Sequence, residues 1–216
     1  VCSSDLEYAT LQGSPENVHK FLVDKGYSRV TGFGGHTTCH QVWTDQQELI
    51  IDAGSGLKEL GLQLLQGPAG KGQAHIRILM THFHWDHVIG LPFFVPIFIP
   101  GNTVEFLAVQ ENLEPCVRQL FTKPFFPVDF ELLGANIQFT QLKPYETVPF
   151  GDMNVTPYQL DHPDPCWGFR FDHGDRSLAY CVDSECTRTT ESELGRDIAL
   201  YQDANLMIFD AQYTLA

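Results

Sequence analysis

An apolar run, Ile76-Arg77-Ile78-Leu79-Met80, leads directly into His82-Phe83-His84-Trp85-Asp86-His87, and no other stretch restricts the possible folds as much. Residues 74–80 have the length and apolarity of a buried strand, and Thr81 opens a loop at its C-terminal end. Open α/β sheets gather functional groups at that end. Along an extended loop His82 and His84, two apart, project to the same side, and Asp86 and His87 follow a turn later. The first pair can share one ion while the second faces a neighbouring ion. Imidazole nitrogen and carboxylate oxygen suit Zn²⁺, and also Mn²⁺ or Fe²⁺, with no thiolate in the stretch to narrow the choice. The alternative is polar residues that happen to share a solvated loop, and their density argues against it.

The rest of the chain alternates strand and helix signals. Ser14-Pro15-Glu16 is a helix start, with a capping Ser and Pro at the first position; Val18, Phe21 and Leu22 form an apolar stripe, and Gly26 ends it. Strands are predicted at 39–44, 48–52, 74–80 and 103–109, with helices at 57–65 and 111–122. The second half predicts strands at 136–141, 153–160, 167–172 and 177–182, a helix at 191–202 and a last strand at 205–210. His173-Gly174-Asp175-Arg176 is a turn with an exposed His173. Mixed strands and helices fit an α/β layer architecture. With 43% hydrophobic content over 216 residues and no Ser/Gly/Pro-rich linker, one domain spanning 1–216 is the simplest organisation. Val1 to Leu6 show no periodicity that ties them to the fold, and residues 1–12 are expected to be disordered or a junction artefact. Leu91 to Pro100 carries three prolines and is too short to span a bilayer, which needs about 20 residues; it reads as core or as the hydrophobic wall of a cleft.

Charge bounds the partners. The 27 Asp and Glu against 13 Lys and Arg give a formal charge of −14, which argues against an extended nucleic-acid surface. The six cysteines show no C-x-x-C spacing, and no secretory segment precedes them, so a reduced, cytoplasmic protein without a membrane partner is expected. Cys39, Cys166 and Cys181 read as packing residues. The stretch Gly32-Phe33-Gly34-Gly35-His36-Thr37-Thr38 lacks the Lys-Ser/Thr of a phosphate-binding loop.

The pattern His82-x-His84-x-Asp86-His87 after an apolar strand, continued by Gly90-Leu91-Pro92, resembles the metallo-β-lactamase superfamily of hydrolases. Leu49 to Gly54 resembles the family's strand ending in Asp-x-Gly, Leu160-Asp161-His162-Pro163 its third-histidine loop, and Tyr180 to Ser184 its bridging-aspartate strand. The resemblance spans roughly residues 31 to 213. It implies an αββα sandwich of two mixed sheets flanked by helices, holding two divalent ions, with zinc favoured. It implies further that His82, His84 and His162 hold one ion, that Asp86 and His87 hold the other, and that Asp183 bridges both. Asp52 then either accepts a hydrogen bond from a ligand imidazole or caps the turn at 53–56. Asp183, which would orient a bridging hydroxide, stands with Asp86 and His36 as the candidate catalytic groups. His36 occupies a position where relatives often carry Asn; a plain loop histidine is the competing reading.

Departures from the pattern matter too. Family members supply a further histidine to the second ion from downstream of Asn205 to Asp210, and none of the nine histidines here follows His173. The expectation is a C-terminally truncated chain with a weakened second site. In the tRNA-processing branch a histidine precedes the acid at Asp210, and here that residue is Phe209. A bridging Asp183 disfavours lactam cleavage, and the continuation His87-Val88-Ile89-Gly90-Leu91-Pro92 resembles the phosphodiesterase and tRNA 3′-end endonuclease branch. The expected activity is a phosphodiesterase acting on a small or nucleotide-like substrate, with a homodimer left open. The alternatives are a thioester or lactone hydrolase of the glyoxalase II type and a metal-binding, non-catalytic fragment.

Overall fold

The apolar runs pair into two five-stranded sheets. The structure, a computed structural model, describes Asp24 and residues 35–209. The chain divides into units 1–35 and 36–216, and every element below lies in the second. Residues 1–12, the helix expected at 14–26 apart from Asp24, residues 32–34 and Asp210 lie outside the described residues.

The first sheet comprises β1 (His40–Trp43), β2 (Glu48–Ile51), β3 (His75–Leu79), β4 (Thr103–Ala108) and β5 (Asn136–Gln141) in that spatial order. β1 is antiparallel to β2, and the remaining pairs are parallel. Parallel neighbours need crossovers. These are α1 (Gly56–Leu64), then α2 (Trp85–Val88) with two 3₁₀ turns at Leu91–Phe93 and Val95–Phe98, then α3 (Leu113–Gln119). The second sheet comprises β6 (Val148–Phe150), β7 (Met153–Gln159), β8 (Trp167–His173), β9 (Arg176–Cys181) and β10 (Leu206–Phe209), in the order 10-9-8-7-6. Only β9 and β10 run parallel in it.

Strand alternation sorts the core into layers. Ile50, Ile76 and Ile78 pack outward beneath Leu57, Leu91, Phe94 and Val117, while Leu49, Ile51, Leu79 and Leu107 face the second sheet's Val155, Phe169, Phe171 and Tyr180. The first sheet is therefore apolar on both faces, which is why residues 74–80 read as a continuous run and not an alternating one. Each fully buried Leu, Ile or Phe contributes about 1.5–3 kcal/mol. Beyond the second sheet, Ala179 and Cys181 meet Leu200. The order helix, sheet, sheet, helix is the αββα sandwich that the resemblance implies.

Three local expectations need correction. The helix read across 191–202 is two short turns, α4 (Glu191–Leu194) and α5 (Ile198–Tyr201), because Gly195 takes φ +54° and ends the first. The helix read at 111–122 is only Leu113–Gln119. β6 was not expected: three residues are too few to show a period, and Pro149 is tolerated because the strand lies at a sheet edge. His173 is exposed as read, with Nε2 3.0 Å from Asp152. Among the described residues the five cysteines are free thiols, and no helix is long and apolar enough to cross a membrane.

Candidate metal centre

The first sheet presents His82, His84, Asp86 and His87 on the loop and short helix that follow β3, and the second sheet presents His162 after β7 and Asp183 after β9. Backbone bonds clamp the β3 loop against the end of β2: Ala53 N–H donates to His87 O and Gly90 N–H donates to Ala53 O, both at 2.8 Å. Only glycine fits that clamp. A Cβ on Gly54 would sit 2.3 Å from the Asp86 carbonyl oxygen, and one on Gly90 would sit 2.0 Å from that of Gly54. Asp52 and Asp183 both adopt positive φ, 60° and 53°, a region that aspartate tolerates and that clusters at functional positions.

Four imidazoles converge. The His82 ring centroid lies 4.5, 4.1 and 4.7 Å from those of His84, His87 and His162, and His84 and His162 are 4.8 Å apart. Each ring has one nitrogen committed to the protein. His82 Nδ1 donates to Thr81 Oγ1 at 3.0 Å, and that hydroxyl donates in turn to the Asp52 carboxylate at 2.9 and 3.0 Å. His87 Nδ1 donates to Asp52 Oδ2 at 2.9 Å. His84 Nε2 donates to Asp164 Oδ2 at 2.8 Å, and His162 Nδ1 to the Asp164 carbonyl at 3.0 Å. Such contacts orient the rings and leave the opposite nitrogens of His82, His84 and His162 unbonded among the described residues, whereas His87 Nε2 also meets Asp183 Oδ2 at 3.1 Å.

Burial and neighbours set the charges. His82 is driven down to about 3, first by burial and then by the surrounding imidazoles His87, His162 and His84, so it is neutral. Burial also opposes a charge on His87, but its hydrogen bonds to the Asp183 and Asp52 carboxylates outweigh it and lift this ring to about 10. The His87 hydrogen bond holds Asp183 below the usual carboxylate range, with burial opposing. The Asp164 carboxyl is likewise lowered, mainly by its bond from His84.

The residues fit a divalent cation. His82 Nε2 is buried and has no hydrogen-bond partner among the described residues, although Asp183 Oδ2 lies 3.7 Å away. A buried, neutral, unpartnered imidazole nitrogen is a metal-donor arrangement, since a polar atom so placed is otherwise costly. His82, His87 and Asp183 bring one donor atom each within 4.8 Å of one another, and so do His82, His162 and Cys166. Asp86 joins from the rim, its Oδ2 3.4 Å from His87 Nε2 and its side chain 55% exposed.

All six metal-ligand residues read from the sequence thus sit in one cluster. His36 is not among its imidazoles: it is exposed beside the start of α1, with Nδ1 3.4 Å from Ser55 Oγ. Asp52 accepts from Thr81 and from the candidate ligand His87, with no bond to the turn at 53–56 among the described residues; Ser55 is the α1 N-cap. Sequence reasoning missed Thr81 and Asp164. Only an acid two residues beyond His162, between Pro163 and Pro165, hinted at the second. Cys166 is buried as a packing residue, and its Sγ also lies 3.5 Å from His82 Nδ1. Gln110 Nε2 donates to the carbonyls of Thr81 and Pro165 at 2.7 and 2.9 Å, tying the two ligand loops together.

The profile of the family described as Beta-lactamase superfamily domain matches residues 47–215. Ribonuclease BN of Erwinia tasmaniensis is 26% identical over 127 residues, covering 59% of this chain and 40% of that protein. Ribonuclease BN of Escherichia coli is 26% identical over 151 residues, covering 65% and 42%. The chain therefore spans about two fifths of the length of these relatives. The metallo-beta-lactamase fold protein YhfI from Bacillus subtilis superposes with a TM-score of 0.55 at 18% identity, covering 82% of this chain and 64% of that one. The short form of human tRNase Z gives 0.51 at 17% identity, covering 79% and 70%. These two structures share its fold. With the family profile running from β2 past β10, and clustered histidines and aspartates at the ends of two stacked sheets, the chain belongs to the metallo-β-lactamase superfamily.

Proposed function

We propose that the chain is a metal-dependent phosphodiesterase acting on a small or nucleotide-like diester. The observation that carries this reading is Asp183, whose Oδ2 lies 3.1 Å from His87 Nε2 and 3.7 Å from His82 Nε2, so that one carboxylate faces both ligand groups. His82, His84 and His162 would hold one divalent ion, Asp86 and His87 a second, and Asp183 would bridge them; zinc suits the donors, as do manganese and iron. Such a pair supplies hydroxide at neutral pH and a Lewis acid for the attacked centre.

The chain's own groups do the rest. Asp183 is anionic at neutral pH and can orient an attacking water and take its proton. Thr81, Asp52 and Asp164 hold the imidazoles in fixed tautomers, so the donor set is preorganised. A polar cleft of about 400 Å³ beside His162, lined also by Asp161, Glu185 and Thr187, gives room for a small ester. The net charge of −14 favours such a substrate over a long polyanion, and relatives named as ribonucleases support phosphodiester chemistry.

Turnover of bis(p-nitrophenyl) phosphate and of S-lactoylglutathione by the zinc- or manganese-loaded protein tests the reading. Diester hydrolysis that falls at least a hundredfold, on the order of one lost transition-state contact, in Asp183→Asn supports it. Turnover of the thioester alone overturns it in favour of a thioesterase. Stoichiometric metal with turnover of neither overturns it in favour of a metal-binding role.

A further inference from the structure

We infer that the apolar cavity walled by Phe83, Trp85, Val88 and Ile89 of the ligand loop is a subsite for an alkyl or aryl arm of the substrate diester, an inference that rests on the phosphodiesterase reading. The cavity holds about 600 Å³, and small-molecule sites run from about 300 to 1,000 Å³. One stretch of chain walls both places. Between 82 and 89, the histidines and Asp86 go to the metal cluster, while Phe83, Trp85, Val88 and Ile89 line the cavity. Trp85 is joined in sequence to His84 and Asp86, so the cavity rim is one residue, about 3.8 Å of Cα trace, from groups of the candidate centre. The opposite wall comes from Pro92 and Phe93 of the 3₁₀ turn after Gly90 and from α3 with the Phe125-Phe126 loop that follows it.

The lining suits an uncharged arm and little else. Among the described residues, none lining the cavity is charged. Trp85, Phe93, Ile89 and Phe125 stand 68%, 55%, 42% and 85% exposed around this one concavity. Apolar side chains gathered around a hollow mark a binding groove more than an ordinary surface. A diester with one negative charge and an apolar arm matches both halves of the arrangement: the phosphate goes to the cation-binding cluster, the arm to the aromatic wall. A polymer with a phosphate at every unit matches neither the wall nor the acidic chain.

A series of p-nitrophenyl diesters with methyl, butyl and octyl as the second ester group tests this. KM is expected to fall by up to roughly fourfold per added methylene until the cavity is full. Cys116→Trp, which places an indole in the cavity from its α3 wall, should flatten that series; Leu120→Trp does the same from the next turn, should the first variant misfold. Binding is read without turnover from the fluorescence of N-phenyl-1-naphthylamine on the metal-free protein. One equivalent is expected to bind, to be displaced by octyl p-nitrophenyl phosphate, and to be lost in the Trp variants. Diester turnover with a KM indifferent to chain length overturns the subsite and leaves the phosphodiesterase reading standing. Dye binding and displacement with no diester turnover removes that reading and overturns the diester-arm assignment with it. Self-association that the Trp variants abolish, with no dye bound, overturns the subsite in favour of a second copy of the chain.

Discussion

Replacing Thr81 with valine tests how the ligand set is held. The side chain is fully buried, so the swap keeps the shape and deletes only the hydroxyl. That hydroxyl donates to Asp52 at 2.9 and 3.0 Å and accepts the His82 Nδ1 proton at 3.0 Å. A bond to a charged group contributes about 1.5–3 kcal/mol, and a buried donor left without an acceptor costs about 1–3 kcal/mol. Asp52 keeps donors from Thr81 N and His87, and Cys166 Sγ offers His82 a weak acceptor at 3.5 Å, so the lower part of the summed range applies. Urea unfolding in chelator should therefore show a loss of about 3 kcal/mol. Zinc affinity, measured by competition with a chromophoric chelator, should fall roughly 10- to 100-fold. Thr81→Ser should recover most of both losses. A valine variant matching wild type in both assays, or a serine variant as impaired as valine, would refute the relay from Asp52 through Thr81 to His82.

Two further perturbations test other buried polar contacts. His40, whose Nδ1 lies 3.0 Å from the Tyr180 hydroxyl, is held by burial below the usual value of 6.5, with Asp52 pulling the other way. Below about pH 6.5 the unfolded chain takes up a proton there that the folded chain refuses, so stability is full above that pH and falls as the pH drops through the lowered value. His40→Gln should shrink the difference between urea midpoints at pH 7.5 and pH 5, and equal differences in the two chains would count against it. Arg188 donates to Asp161 and, at 2.7 Å, to Asp197, whose side chains are 9% and 5% exposed. Because the guanidinium itself is 28% exposed, the usual cost of stranding buried charges is discounted: Arg188→Ala should lose about 2–3 kcal/mol in thermal or urea unfolding, and a loss under about 1 kcal/mol would contradict the buried pairing.

How much of the site the sequence discloses depends on how each group is connected. His82, His84, Asp86 and His87 are legible because they share one short stretch behind an apolar run, so spacing alone states their common direction. His162 and Asp183 come from distant loops with ordinary local surroundings, and only resemblance assigned them roles. Asp52 supported two readings because a turn cap and a ligand-supporting carboxylate leave the same Asp-Ala-Gly trace; its bonds to Thr81 and His87 separate them. Thr81 and Asp164 have no periodic signature, since their function depends on which ring they meet in space. In the fold, strands buried on both faces declared themselves as continuous apolar runs. Residues 191–202 misled because their composition suits a helix, while Gly195 alone decides that it breaks.

The division of the candidate ligands between the two sheets has a further consequence. Four groups belong to the first sheet and two, His162 and Asp183, to the second, so any ion shared by them is also a cross-link between the halves of the sandwich. Gln110 and the Trp167 N–H, both bonded to the Thr81 carbonyl, tie this end of the two sheets together without metal, in addition to the apolar layer packed between them. Whatever binds the folded centre and not the unfolded chain adds about 2.7 kcal/mol at a hundredfold excess over its dissociation constant. For this molecule that increment acts as resistance to the sheets parting. On the proposed function, metal supply would therefore add to how long the folded protein survives as well as to whether it reacts, and protease resistance with and without added zinc reads that increment.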